Sequence, residues 1–138
     1  MPRSIWKKLR NRTSRNLRDV GVLAGSSRLD LRLSSYGKEH GFRNCVVHNS
    51  EHQIERLGRE AEELRGRVSD DYKVSRPFKA GRVDDLDACR KLLKRSFDES
   101  KHRVILGPRV VVGTASGLSP LEKRTLKEVV KAAGARKV

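Results

Sequence analysis

Leu29, Leu31 and Leu33 alternate with Asp30 and Arg32, the period-two pattern of a half-buried strand. Val20–Leu23 precedes this segment and Asn44–His48 follows it, and both read as further strands. Ala24-Gly25-Ser26-Ser27-Arg28 forms a tight turn between the first two, and Ser34–Phe42, with Gly37 and Gly41, reads as a loop. Glu55–Arg65 reads as a polar, mostly charged helix. Val74–Val83 is extended or turning, because Pro77 and Gly81 interrupt regular structure. A clearer helix spans about Asp84 to Phe97. Asp84 is its expected cap, Asp85 and Asp87 suit the positive end of the helix dipole, and Leu86, Cys89, Leu93 and Phe97 recur at helical spacing toward a core.

After the Gly107-Pro108 turn, Val110-Val111-Val112 has the composition of a strand covered on both faces. Ser119-Pro120-Leu121-Glu122 then supplies an N-cap hydroxyl, a proline at the first helical position and a glutamate placed to reach back. Leu126, Val129, Val130 and Ala133 make the apolar stripe, and Gly134 suits the stop. The order is strand, strand, strand, helix, strand, helix. It implies an antiparallel meander extended through a right-handed helical crossover.

Composition narrows the possibilities. The 138 residues allow one domain; 36% are apolar and 36% charged, which predicts a small core of marginal stability. The net charge of +15 is uneven: residues 1–18 hold Arg3, Lys7, Lys8, Arg10, Arg12, Arg15 and Arg18 and no acid. This stretch reads as a basic leader. Ile5, Trp6 and Leu9 share one helical face, and Lys7 and Lys8 lie between them in sequence, so Ile5, Trp6, Lys7, Lys8 and Leu9 are candidate contacts with an anionic membrane surface. Nucleic acid is the alternative polyanion. No helix-turn-helix, zinc-finger or RNP pattern supports it, and aromatic residues for stacking are scarce.

Two distant cysteines, Cys45 and Cys89, give no disulfide framework, so a reducing cytoplasm is expected; no signal peptide or membrane-spanning run is evident. Cys89 reads as a small buried apolar residue. Cys45, His48 and His52 have part of a metal-site spacing, but Cys45 and His48 would point to opposite faces of a strand and a fourth ligand is lacking. Ser119 is accounted for by capping, and no Gly-x-Ser-x-Gly elbow occurs, so no catalytic residue is assigned.

Gly58-Arg59-Glu60-Ala61, Gly66-Arg67 and the segment Arg76–Asp85 together resemble motifs of the MreB/Mbl family of bacterial actin homologues. Gly58-Arg59-Glu60-Ala61 is similar to that family's Gly-x-[Asp/Glu]-Ala segment. Gly66-Arg67 follows, and Arg76-Pro77-Phe78-Lys79-Ala80-Gly81-Arg82-Val83-Asp84-Asp85 resembles Arg-Pro-x-Lys-x-Gly-x-Ile-x-Asp, with no gap from Gly58 to Asp85. Arg109–Val112 through Glu122-Lys123-Arg124 to Ala133-Gly134-Ala135-Arg136 is similar to a later strand and helix of the family. The resemblance covers residues 19–138. It implies a partial actin-like α/β domain of the actin/Hsp70 ATPase, ribonuclease H-like class, in the order βββαβα, corresponding to the first half of the family.

The resemblance also implies a first phosphate loop, Asp-x-Gly-Thr-x-Asn-Thr, over Leu23-Ala24-Gly25-Ser26-Ser27-Arg28-Leu29. Gly25, Ser26 and Ser27 are its candidate cofactor-binding residues. Leu23 stands where the family's metal-facing aspartate would be, and Arg28 replaces the asparagine. The chain stops at Val138, before the family's catalytic glutamate, second phosphate loop and adenosine pocket. The expectation is a degenerate, truncated cell-shape protein without ATPase activity and without ATP or Mg²⁺ as a working cofactor. It would act as a filament-associated or interaction module, with itself or a full-length MreB-like protein as partner, in the cytoplasm and peripherally at the inner face of the membrane.

Overall fold

The structure is a computed structural model, and it describes residues 19–33, 39–100, 107–114 and 116–138. The basic leader, with Ile5, Trp6, Lys7, Lys8 and Leu9, lies outside the described residues. In chain order the elements are β1 (Asp19–Ala24), β2 (Arg28–Leu33), β3 (Glu39–Arg43), β4 (Val46–His48), β5 (Ile54–Leu57), α1 (Arg59–Glu63), β6 (Lys73–Ser75), β7 (Phe78–Lys79), β8 (Arg82–Val83), α2 (Leu86–Glu99), β9 (Arg109–Gly113) and α3 (Pro120–Ala132).

Alternation decides the main sheet. Its order is β3-β2-β1-β9, with β1 antiparallel to β2 and parallel to β9. The register pairs Val20 with Leu33, Val22 with Leu31, Val20 with Val110 and Val22 with Val112. Every second residue therefore lands on one face, and Val20, Val22, Leu29, Leu31, Leu33 and Val110 are buried there. Cys89, Leu92, Leu93 and Phe97 of α2 and Leu126, Val129 and Val130 of α3 complete the same core. Each such Leu, Val or Phe stabilises the fold by roughly 1.5–3 kcal/mol on burial. A bidentate pair fixes the crossover register: Arg109 donates from Nε and an Nη to the two Asp19 carboxylate oxygens at 2.7 and 2.8 Å.

The order βββαβα holds for this sheet and its helices, but its third strand differs from the expected one. Glu39–Arg43, which overlaps the end of the segment read as a loop, is the strand that joins β2, while Asn44–His48 contributes β4 to a separate sheet ordered β5-β4-β6. β3 escapes an alternation test because it is an edge strand of half-exposed residues with Phe42 its sole large apolar side chain. Glu55–Arg65 is not one helix: β5 occupies its start, and Gly58, at φ 65°, breaks the chain before the short α1. This second sheet has its own small cluster of Cys45, Val47 and Ala61.

Two finer expectations also shift. Asp85, not Asp84, caps α2 by accepting from the Ala88 N–H at 3.0 Å, and Leu86 is exposed while Leu92 is buried. Leu86 shares the angular face of Leu93 and Phe97, but as the first residue of α2 it sits in the end turn and is left uncovered. Val111 is 45% exposed, so the strand is covered on one face and not on both among the described residues. The capping box of α3 forms as expected, Ser119 Oγ accepting from Glu122 N and Glu122 accepting from Ser119 N.

The end of α3 packs backbone to backbone against the start of β9. Gly107 has φ 75°, and a Cβ placed there would collide with the Gly134 carbonyl oxygen. The Arg136 N–H bonds Pro108 O at 2.9 Å, and Val110 N–H bonds Lys137 O at 2.7 Å, forming a parallel bridge between Arg109 and Lys137. Gly66, at the same φ, has nothing within 4 Å of its would-be Cβ. Gly107→Ala is therefore expected to destabilise the fold by about 3 kcal/mol, and Gly66→Ala by about 1 kcal/mol, since only the first adds a clash to the left-handed strain. Urea unfolding followed by circular dichroism checks the difference; equal losses would mean that the Gly107–Gly134 approach is not tight.

Candidate functional site

The β1–β2 turn carries the three residues singled out as a phosphate loop. Gly25 N–H bonds Arg28 O at 3.0 Å, closing the turn, and Gly25, Ser26 and Ser27 are exposed. A Cβ on Gly25 would sit 3.0 Å from Arg28 O, so the glycine is there for closeness of backbone.

Asn44, which begins the crossing into the second sheet, holds this turn from beneath. Its side chain is buried, and its Nδ2 donates to Gly25 O at 3.2 Å, Ser26 O at 3.0 Å and Phe78 O at 2.7 Å. Its Oδ1 accepts from Phe78 N–H at 3.1 Å, and its backbone N–H bonds Ser27 O at 3.1 Å. An amide has two donors and one acceptor oxygen, so every polar atom of this buried group is used. The structure thus brings Gly25 and Ser26 together with Phe78 and Ala80 of the β7–β8 hairpin, since Ala80 N–H donates to Ser26 Oγ at 3.1 Å. In accepting that bond the Ser26 hydroxyl keeps its own proton for donation outward. Asn44 and Ala80 were not foreseen from the sequence. The available signal was an asparagine at the head of the apolar run Cys45-Val46-Val47, and it does not say which backbone groups it would meet.

The hairpin reaches onward to α3. Its two-residue bend, Ala80 at φ 50° and Gly81 at φ 78°, has the two positive φ values of a primed hairpin turn. Arg82 Nε bonds Glu122 Oε1 at 2.8 Å, and Lys79 pairs with Asp84 at 2.9 Å. The Ser119 backbone N–H first, and then the Ser119 hydroxyl and Arg82, hold the Glu122 carboxyl below its usual range.

The turn does not match the donor set that a Mg²⁺–phosphate site needs. Leu23 is half-buried in β1, paired with Asp30 on one side and Gly113 on the other. The nearby carboxylate of Asp30 accepts from Arg28 Nε at 2.7 Å. A guanidinium thus takes the charge that would have to orient metal-bound water. Among the described residues no group of three or more His, Cys, Asp or Glu side chains converges as a metal site. His48 instead lies 3.4 Å from the Asp85 carboxylate.

The MreB/Mbl protein family model matches residues 44–138. The chain belongs to the MreB/Mbl family. The match spans the Asn44 amide, the β7–β8 hairpin, both long helices and β9. Among curated relatives, the cell shape-determining protein MreB of Pasteurella multocida is 32% identical over 87 residues, which are 62% of this chain and 25% of that protein. MreB of Escherichia coli K12 is 29% identical over 84 residues, 59% of this chain and 24% of that protein. The match thus spans about a quarter of the length of these MreB/Mbl relatives. Among solved structures, MreB5 of Spiroplasma citri bound to AMPPNP superposes with a TM-score of 0.79 at 24% identity, over 91% of this chain and 38% of that one. The MamK double helical filament gives 0.72 at 18% identity, over 88% and 39%. These likenesses establish the actin-like fold.

Two expectations follow for this MreB/Mbl-family site. Asn44→Ala leaves the buried Phe78 N–H and C=O without their side-chain partner. It is expected to cost about 3 kcal/mol, at one to three per orphaned group less what water recovers, as read by thermal or urea unfolding. Burial pushes the Cys89 thiol up to about 12, and burial likewise raises Cys45. Both thiols should therefore react with iodoacetamide at neutral pH far more slowly in folded than in urea-unfolded protein, at least about tenfold, because thiolate and access are both lacking. Rapid alkylation of the folded chain would show that one of them is reachable.

Proposed function

We propose that this chain is a cell-shape cytoskeletal module of the MreB/Mbl type that acts by association and does not itself hydrolyse ATP. The observation that carries the reading is the β1–β2 turn. Leu23 occupies the position of the metal-facing aspartate, Arg28 neutralises Asp30, and the Ser26 hydroxyl already accepts from Ala80. Phosphoryl transfer depends almost wholly on positioning and charge neutralisation, so a turn that cannot help hold the metal forfeits much of the catalysis.

Association is supported by two things. One similar fold, MamK, forms a double helical filament. On this chain Leu121, Leu86 and Val111 are large apolar side chains at the surface, 72, 59 and 45% exposed. Self or a longer MreB-like protein is the partner this reading names. Purified protein incubated with Mg-ATP is expected to release phosphate no faster than a blank, while its light scattering rises with protein concentration. Turnover on the order of 1 per second would overturn the noncatalytic reading. A monomer at every concentration, with no binding to a full-length relative, would overturn the association reading.

Attachment to an anionic membrane through Ile5, Trp6, Lys7, Lys8 and Leu9 completes the proposal. No helix among the described residues is long and apolar enough to cross a membrane. A basic residue near an anionic surface contributes about 1 kcal/mol, and three apolar side chains add shallow insertion. Anionic liposomes are expected to sediment the protein, with Trp6→Ala reducing the bound fraction severalfold. If liposomes leave the protein in the supernatant while DNA retains it at physiological salt, the polyanion partner is nucleic acid.

A further inference from the structure

Lys123, Lys127 and Lys131 recur every fourth residue along α3, so they line one side of the helix, with successive positions about 6 Å apart along its axis. All three are exposed, and none meets a carboxylate among the described residues. We infer that this lysine side of α3, continued by Arg136 and Lys137, is a second contact with an anionic lipid surface. This assignment rests on the membrane reading above, and it adds to the leader a contact built into the folded domain.

Selective pairing leaves these lysines free. The acids of α3 are Glu122 and Glu128, and they are taken by Arg82 at 2.8 Å and Arg124 at 3.2 Å. No acidic residue lies between Lys131 and Val138. Arg136 and Lys137 are exposed, and their backbone is pinned to the start of β9, Arg136 N–H to Pro108 O and Val110 N–H to Lys137 O. The same end of the sheet holds Asp19, bound by Arg109, so the basic leader joins the described chain beside Lys137. The leader thus enters the domain at the edge where the lysine row ends. The surface beside the row favours lipid over nucleic acid. A cavity of about 310 Å³ opens between Lys123, Lys127 and β9, floored by Val111, Val112, Leu126 and Val138. Val111 is 45% exposed there. Apolar surface under a cationic rim suits a lipid, whose acyl region covers the valines while its headgroup meets the lysines. A phosphodiester backbone would leave the valines bare, and no aromatic side chain lines the cavity for base stacking.

The test is sedimentation of the full chain with vesicles of equal parts phosphatidylserine and phosphatidylcholine, beside vesicles of phosphatidylcholine alone. Each cation near an anionic surface raises partitioning about fivefold. Lys123→Gln, Lys127→Gln and Lys131→Gln combined are therefore expected to lower the partition coefficient on the anionic vesicles at least about tenfold, while glutamine keeps the helix propensity of lysine. Arg67→Gln, Lys73→Gln and Lys94→Gln combined remove the same charge from exposed positions elsewhere and are expected to lower it less than about threefold. Lys123→Arg, Lys127→Arg and Lys131→Arg combined keep the charge and are expected to bind like wild type. Equal losses from the two glutamine triples overturn the proposal, since that marks net charge and no particular surface. Trp6→Ala separates the two contacts. If it weakens binding while the α3 glutamine triple does not, leader attachment stands and the α3 contact falls. If the α3 triple weakens binding and Trp6→Ala does not, the α3 contact stands without the leader. Wild type left in the supernatant overturns both. An α3 triple that loses DNA but keeps its grip on the vesicles assigns the lysine row to nucleic acid and overturns the lipid contact.

Discussion

The buried amide of Asn44 is the constraint on which the arrangement around the β1–β2 turn depends. It sits where the main sheet hands over to the second sheet, and it binds backbone groups of two separated segments, the Gly25–Ser26 turn and Phe78. Backbone polar groups that leave regular pairing must find partners or cost about 1–3 kcal/mol each. A single side chain supplies those partners here. That allows the chain to turn at Gly25, cross at Asn44 and return at Phe78 within one small volume. An aliphatic residue of similar size would bury as well, and would leave those groups unmatched.

What the sequence made legible was whatever is written locally. Leu29–Leu33 shows its face because alternation needs only neighbouring residues, and α3 shows its start because Ser119, Pro120 and Glu122 sit within one turn. The parallel joining of β9 to β1 followed from the helices between them. β3 was hidden because an edge strand with half-exposed side chains leaves no apolar trace, and the break at Gly58 was hidden inside a run of charges. The role of Asn44 was illegible for a different reason: its side-chain partners lie 18, 19 and 34 residues away, and only folding brings them near. The turn at Gly25 was legible in its own residues and its reading as a phosphate loop came through family resemblance, while its chemistry came from the structure, which showed Asp30 bound to Arg28 and Ser26 bound to Ala80.

The charge of the chain also takes a more ordinary form once the side chains are placed. Arg82, Arg109 and Arg124 are each bonded to a carboxylate, as are Arg90 and Arg95 on α2. Apart from the part-buried Arg109–Asp19 pair, these are exposed pairs, which contribute little individually, about 0–1 kcal/mol. Their value lies in register: Arg109 with Asp19 joins strands 90 residues apart, and Arg82 with Glu122 joins hairpin to helix. Much of the arginine content of the described residues is thereby spent inside the molecule and not offered to a polyanion.

The parallel bridge between Arg109 and Lys137 gives the outer edge of β9 a direction. Its first backbone bonds, from Val110 N–H to Lys137 O and from Arg136 N–H to Pro108 O, are already made. A segment zipped along that edge from this starting point must run the same way as β9, and its register is set by the residue at which pairing begins. Parallel neighbours cannot be joined by a tight hairpin. Growth of the sheet from this bridge is therefore polar: it proceeds from the Arg109 end toward Gly113, in the direction of β9.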